Sequence, residues 1–263
     1  MYTFGLISTS SATSVEENLH TLEQYARQAK NLGCSALCFP ECFLTGYLPK
    51  EAAEYSISIT DDEDTLARPL KTIRNLAMEL SMDLLVGFME SQEDETPRYY
   101  ITHGIFLSDG SIRYYRKSHL GAREATVFTP GNALDVFTLS SGIKAGMQIC
   151  VETHFNDITQ TLSLKGAQLI FAPHAVPRAA GDRKKLWSKY IPARSYDNSV
   201  YMACCNQWDS EKFGGGILVT DAKGEVLVSE FEDKPAMAVF SLDPEKFSRK
   251  YYFPDKRRTA LYL

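Results

Sequence analysis

Helix-type and strand-type hydrophobic periods alternate along this chain in two blocks, one before residue 91 and one after residue 150, with hairpin signals between them. In the first block, YTFGLIS (2–8) places Tyr2, Phe4 and Leu6 on alternate positions, as a strand does. Ser14 with Glu17 three residues on is a capping box. Leu19, Leu22, Ala26 and Ala29 then recur at helical spacing up to Gly33, a helix-terminating position. SALCF (35–39) reads as the next strand, 65–82 as a helix and DLLVGFME (83–90) as a strand. In the middle, Asp109-Gly110 sits between YYITHGIFL and IRYYRK, and Ser140–Gly142 between LDVFTL and IKAGMQIC; both are hairpin patterns. After Cys150 come a helix near 156–165, the strand AQLIFAP (167–173), a helix near 182–198 and the strand SVYMACCN (199–206). GILVTDAKGEVLVSE and AMAVFSL close the chain as hairpin-like strands before a basic tail. This order predicts an α/β fold with mixed sheets and helices outside. Two sheets back to back, one for each half, make a four-layer sandwich. No linker or low-complexity stretch interrupts residues 1–263, which read as a single domain.

Composition removes other classes. Hydrophobic residues at 44% and charged residues at 23% belong to a globular chain, and a net charge of −5 argues against a nucleic-acid partner. No run reaches the roughly 18 uncharged apolar residues that cross a bilayer. No basic residue precedes Arg27, so the amino terminus lacks the pattern of a secretory signal, and the expected location is cytoplasmic. The six cysteines form no dense disulfide pattern. Cys34, Cys38 and Cys42 are spaced by four, but Pro40 and the strand-like ALCF break the helix that would align them, so they read as small buried hydrophobes and no metal is expected. The acidic runs Asp61–Asp64 and Glu93–Glu95 read as solvated loops. Gly214-Gly215-Gly216 precedes a strand and lacks a following Lys-Ser or Lys-Thr, so it is a hairpin entry rather than a phosphate loop.

Three positions share a description: Glu41 follows Pro40 directly after SALCF, Lys117 ends IRYYRK and Cys150 ends AGMQIC. Catalytic groups of α/β folds gather at the carboxyl ends of strands. Taken singly, each has a plainer reading, as a solvated acid, a surface lysine and a buried filler. Together they form a candidate site holding an acid, an ammonium and a thiol.

The sequences around them go further. FPECFLTGY (39–47), YRKSHL (115–120) and MQICVETHF (147–155) resemble, in order and spacing, three signature segments of the nitrilase superfamily of carbon–nitrogen hydrolases. KSHLGAREATVFTPG (117–131) resembles the family's lysine segment, whose second glutamate falls on Glu124. ARSYDNSVYMACCNQ (193–207) and FGGGILVTDAKGEVL (213–227) resemble its later helix–strand unit and glycine-rich hairpin.

The resemblance implies a nitrilase-like α-β-β-α sandwich that pairs with a second copy as a homodimer or larger assembly, and a thiol hydrolase that needs no cofactor. It implies Cys150 as nucleophile, Glu41 as proton carrier, Lys117 as the cation beside the developing oxyanion, and Glu124 as a second carboxylate positioning Lys117 or substrate. Tyr47, Val151 and His174 are the expected substrate contacts. A small aliphatic amide ranks first as substrate and an N-carbamoyl compound second. Nitriles rank last, because that branch carries a tryptophan where this chain has Val151. A non-catalytic binding protein on the same fold is the alternative from another class. Arg178 and Arg183 are candidate partners for a substrate carboxylate. His154, four residues past the thiol, is poorly placed to be its base. The chain departs from the family's aromatic–proline–glutamate with Phe155-Asn156-Asp157, leaving Asp157 for an ion pair and Asn156 or Thr153 as the cap of the next helix.

Overall fold

The computed structural model describes residues 1–60, 65–93, 95–245, 247 and 253–261. Strand β1 (Tyr2–Ser8) leads to helix α1 (Val15–Asn31) and β2 (Cys34–Cys38). The short α2 (Ala52–Tyr55) and β3 (Ile57–Ser58) precede α3 (Arg68–Leu80) and the long β4 (Asp83–Gln92). Strands β5 (Arg98–Phe106), β6 (Ile112–Arg116), β7 (Phe137–Thr138) and β8 (Lys144–Met147) fill the middle. Then come α4 (Asn156–Leu164), β9 (Leu169–His174), α5 (Arg183–Asn198), β10 (Tyr201–Asn206), β11 (Ile217–Thr220), β12 (Val226–Glu230) and β13 (Ala236–Leu242).

Two mixed sheets result. One runs β13-β1-β2-β4-β5-β6, with β3 alongside β4; the other runs β12-β11-β10-β9-β8-β7. In each, a parallel centre is flanked by antiparallel pairs. Strand alternation assigns side chains to layers. Phe4, Leu6 and Leu85 face Met147, Leu169, Phe171 and Cys205 between the sheets. The opposite face of the first sheet, with Ile7, Leu37, Val86 and Phe88, packs under Leu22 and Ala26 of α1 and Leu70, Ile73 and Ala77 of α3. Ile170, Met202 and Cys204 of the second sheet pack under Ile158 and Leu162 of α4 and Trp187 and Ile191 of α5. Adjacent Cys204 and Cys205 therefore lie in different layers, as a period of two requires. Four layers, helix–sheet–sheet–helix, are the architecture expected from the sequence.

The local signals hold in part. The Ser14 hydroxyl accepts from the Glu17 N–H at the start of α1. Helix α3 starts at Arg68, later than the periodicity suggests, with Pro69 in its first turn. Strand β13 is a departure: it leaves the second half and pairs antiparallel with β1, Tyr2 opposite Leu242 and Ser8 opposite Ala236. The chain's end thus closes the first sheet, and the halves are interlocked. At α4, neither expected residue caps the helix. Phe155 is the cap residue without a side-chain bond. The Thr153 hydroxyl donates back to the Cys150 carbonyl, and the Asn156 amide oxygen accepts from Asn198. Asp157 does form an ion pair, with Arg257 of the basic tail at 3.6 Å. Glu93 and Glu95 are exposed, whereas 61–64 lie outside the described residues. Among the described residues, no helix is long and apolar enough to cross a membrane, and no cluster of His, Cys, Asp and Glu is grouped to hold a metal.

Candidate active site

Glu41 is placed by the strand next to its own. After β2 ends, the chain stays on β4: the Phe39 N–H donates to the Leu85 carbonyl and the Leu44 N–H to the Gly87 carbonyl, each at 2.9 Å. Gly87 permits this approach, because a Cβ there would lie 2.6 Å from the Cys42 nitrogen and 2.9 Å from the Pro40 oxygen. Cys42 turns the chain at φ 53. The Glu41 side chain is thereby turned inward and buried. Gln207 Nε2 donates to its carbonyl at 2.7 Å, and the Ala175 N–H donates to its Oε2 at 2.8 Å.

Lys117 is the first residue past β6, not its last. Its N–H donates to the Ile101 carbonyl and its carbonyl accepts from the Gly131 N–H, both at 2.8 Å. Its ammonium lies between two buried carboxylates, 2.7 Å from Glu41 Oε1 and 2.8 Å from Glu124 Oε1. Glu124 opens a short 3₁₀ turn; its Oε2 accepts from the Gly121 N–H at 2.6 Å and its Oε1 from the Tyr47 hydroxyl at 2.8 Å.

Cys150 does not end a strand. β8 stops at Met147, and Cys150 begins the 3₁₀ turn Cys150–His154 with φ 54. A non-glycine residue in that conformation is strained, and a sharp strand-to-helix turn lifts a nucleophile out of its sheet. Cys150 is partly exposed, whereas the other five cysteines are buried and reduced. The N–H groups of Cys150 and Val151 come too early in the turn to find an acceptor within it.

The electrostatics separate the roles. Burial raises the Glu41 carboxyl to about 7 against the opposing pull of Lys117, with Glu124 adding to the rise. Burial pulls Lys117 down, but Glu41, Cys150 and Glu124 outweigh it, and the net direction is up, so the ammonium stays charged. Burial, then Glu41, push the Cys150 thiol up, while Lys117 and the Ala175 N–H oppose them. The resting group is therefore a thiol that needs a base, and Glu41, a carboxyl raised by burial, is the acid whose charge acts on it.

Lys117, Glu124 and Cys150 line a cavity of about 860 Å³, together with Tyr47 and Val151, while Glu41 lies buried behind Lys117, outside its lining. His174, expected at the substrate, is not among its lining residues. Its ring is buried against Trp187 at 4.7 Å, with Nδ1 2.8 Å from the Ala172 carbonyl, and burial lowers it to about 3, so it is uncharged. The cavity wall there comes instead from Ala175, Val176 and Pro177. His154 is exposed and stacks on Tyr190 at 4.7 Å. Arg178 is also not in the cavity wall: it forms a two-pronged pair with Asp233 and donates to the Asp209 carbonyl beside a neighbouring cleft. Arg183 borders the same cleft, over the Trp187 ring. The cations bordering the main cavity that the sequence did not single out are Lys50, Arg123 and Lys212. The Ala175 N–H and Gln207 were likewise invisible, because a contact spanning 134 or 166 residues leaves no local pattern.

A four-layer sandwich with a thiol and an ammonium at one cavity, the ammonium held between two buried carboxylates, defines a class of hydrolase. The carbon–nitrogen hydrolase family model matches residues 5–248, and the chain belongs to that family, hydrolases of carbon–nitrogen bonds other than peptide bonds. A nitrilase of Pyrococcus abyssi is 28% identical over 235 residues, covering 87% of this chain and 84% of that protein. An omega-amidase of Xenopus laevis is 27% identical over 225 residues, covering 80% and 78%. A glutamine-dependent NAD(+) synthetase of Thermotoga maritima is 32% identical over 223 residues, 81% of this chain but 37% of the synthetase, so the chain spans little more than a third of that relative. The crystal structure of an amidase from Nesterenkonia sp. shares the fold with a TM-score of 0.84 at 23% identity, covering 99% of this chain and 94% of that one.

Proposed function

We propose that this chain hydrolyses a small aliphatic amide bearing a carboxylate at its far end, through a thioester on Cys150. The observation that carries the reading is the buried Glu41–Lys117–Glu124 array at the cavity that Cys150 borders. Glu41, as carboxylate, takes the thiol proton while the sulfur attacks the amide carbon. The Lys117 ammonium and the Val151 N–H stabilise the oxyanion. Collapse expels ammonia, which receives its proton from Glu41. Water then attacks the thioester with Glu41 again taking a proton, and the acid leaves as Cys150 recovers its hydrogen. Glu124, held by Tyr47 and Gly121, keeps the ammonium aimed without joining the proton path. Residues 1–263 act as one domain in this reading, in a homodimer or larger assembly in the cytoplasm.

Ammonia release from a panel of short amides, N-carbamoyl amines and nitriles tests the reading, with Cys150→Ala as control. Release from the amides, lost in the variant, is expected; release only from another class would overturn the substrate assignment.

The far-end carboxylate follows from the charge of the cavity. Lys212 Nζ is held 3.5 Å from the Tyr47 carbonyl and over the Phe213 and Tyr47 rings at 4.8 and 5.8 Å. Arg123 and Lys50 border the same cavity, with Glu51 as their acidic neighbour. Lys212→Ala is expected to raise KM about tenfold for amides with a distal carboxylate, the worth of one charge-assisted hydrogen bond, and to leave neutral amides unchanged. An equal effect on both would show that Lys212 shapes the cavity without reading charge.

A further inference from the structure

One buried carboxylate beside the site has no part in this reaction. Glu152, two residues past the thiol, is fully buried. Its Oε1 accepts from the Ser118 N–H at 2.7 Å, the Ser118 hydroxyl, the His119 N–H at 3.2 Å and the Tyr115 hydroxyl at 2.8 Å. Its Oε2 accepts from the Ile149 N–H at 2.6 Å and from Tyr115 at 2.9 Å. The donors belong to two segments: Ser118 and His119 directly follow Lys117, while Ile149 directly precedes Cys150. One segment leaves the first sheet at β6 and the other leaves the second sheet at β8.

We propose that Glu152 is a positioning residue: its carboxylate clasps the lysine segment to the cysteine turn and so fixes the Lys117 ammonium relative to the Cys150 sulfur. The proposal rests on the roles given to those two residues above. Other anchors hold the turn within its own half. Arg194 of α5 donates to the His154 carbonyl at 3.0 Å and the Thr153 carbonyl at 3.3 Å, and Gln148 Nε2 donates to the Glu152 carbonyl at 3.1 Å. The Glu152 side chain reaches across to the other sheet's loop.

The chemistry demands a carboxylate. Both carboxylate oxygens accept, so the five donor groups can share about four acceptor sites with no donor facing another, whereas an amide has one acceptor oxygen and an NH₂ that donates. In Glu152→Gln, either the Ile149 N–H or the Ser118–His119 set must face that NH₂. Donor faces donor, and one segment moves away. Displacement of a catalytic group by about 1 Å costs on the order of 100-fold in rate.

The test measures kcat, KM, thermal midpoint and the pH dependence of Cys150 alkylation by iodoacetamide in Glu152→Gln, Glu152→Asp and Tyr115→Phe. Glu152→Gln is expected to lose about 100-fold in kcat with KM within about threefold, and its alkylation midpoint should move to higher pH as Lys117 ceases to favour the thiolate. Glu152→Asp should recover part of both. Tyr115→Phe removes one donor and keeps the carboxylate, so the same two changes should appear at smaller size. A folded Glu152→Gln that keeps its kcat, or loses it with an unmoved alkylation profile, overturns the clasp. If that variant does not fold, Tyr115→Phe decides by its alkylation midpoint, and an unchanged midpoint overturns the proposal. Failure of the underlying reaction looks different: the wild-type protein would release no ammonia.

Discussion

Glu41→Gln is expected to lower kcat/KM by roughly 10²–10⁴, the range for loss of a general base, while the protein stays folded. The substitution is nearly isosteric, and the amide oxygen can still accept from the Lys117 ammonium at the Oε1 position or from the Ala175 N–H at the Oε2 position. What it removes is a basic site. The pH profile separates this from a packing effect. Glu41 must be ionised to take the thiol proton, and its carboxyl is raised to about 7, chiefly by burial. The wild-type kcat/KM for a neutral amide should therefore rise with pH through an acid limb near 7, falling about tenfold per unit below it. An ordinary exposed glutamate would place that limb near 4. In Glu41→Gln the limb should vanish and leave a low, flat residual rate. A limb that persists unchanged would assign the titration to another group and remove Glu41 from the proton path.

Such a site was partly legible from residue order. The strand and helix periods placed all the long elements, because each layer of the sandwich needs an apolar face whose spacing is written locally. The same periods misplaced ends: Cys150 stands three residues beyond β8, because the turn that raises the thiol keeps the apolar pattern of the strand through Ile149. The joining of β13 to β1 was hidden, since AMAVFSL has the same alternation whichever sheet it enters. Glu41, Lys117, Glu124 and Cys150 were found through their surrounding segments, and their meeting is tertiary. His174 and Arg178 show the limit in the other direction. Both lie at or just past the end of the strand whose continuation, Ala175–Pro177, lines the cavity, yet His174 turns to Trp187 and Arg178 to Asp233. A side chain's direction after a strand end depends on partners remote in sequence. Glu152 was missed for the same reason: an acid early in a turn reads as a helix-start residue, and its bonds to Ser118 and His119 span more than 30 positions.

Lys117→Ala should have the second large effect, on both rate and stability. Turnover should be lost, since an oxyanion donor is typically worth about 10²–10³ and the thiolate loses its neighbouring cation as well. Stability should fall because the variant leaves Glu41 and Glu124 buried together with no ammonium between them. Removing one member of a buried ion pair costs about 3–5 kcal/mol, which for a chain of this size lowers the thermal midpoint by roughly 10 °C. The sign with pH follows from Glu41. Its carboxyl is already raised by burial and by Glu124, and Lys117 is what restrains the rise, so the variant raises it further. A carboxyl raised on folding holds its proton more tightly in the folded state. Stability is then highest below the unfolded value and falls as pH rises from there to the folded value. The deficit of Lys117→Ala relative to wild type should accordingly be smaller at pH 5 than at pH 8. Adding Glu124→Gln removes one of the two confined charges, so the double variant should regain much of the midpoint and none of the turnover. Thermal unfolding of the three proteins at both pH values, beside ammonia release, checks each part. A midpoint deficit that is independent of pH and untouched by Glu124→Gln would mean that Lys117 stabilises the fold by filling space, not by holding two carboxylates apart.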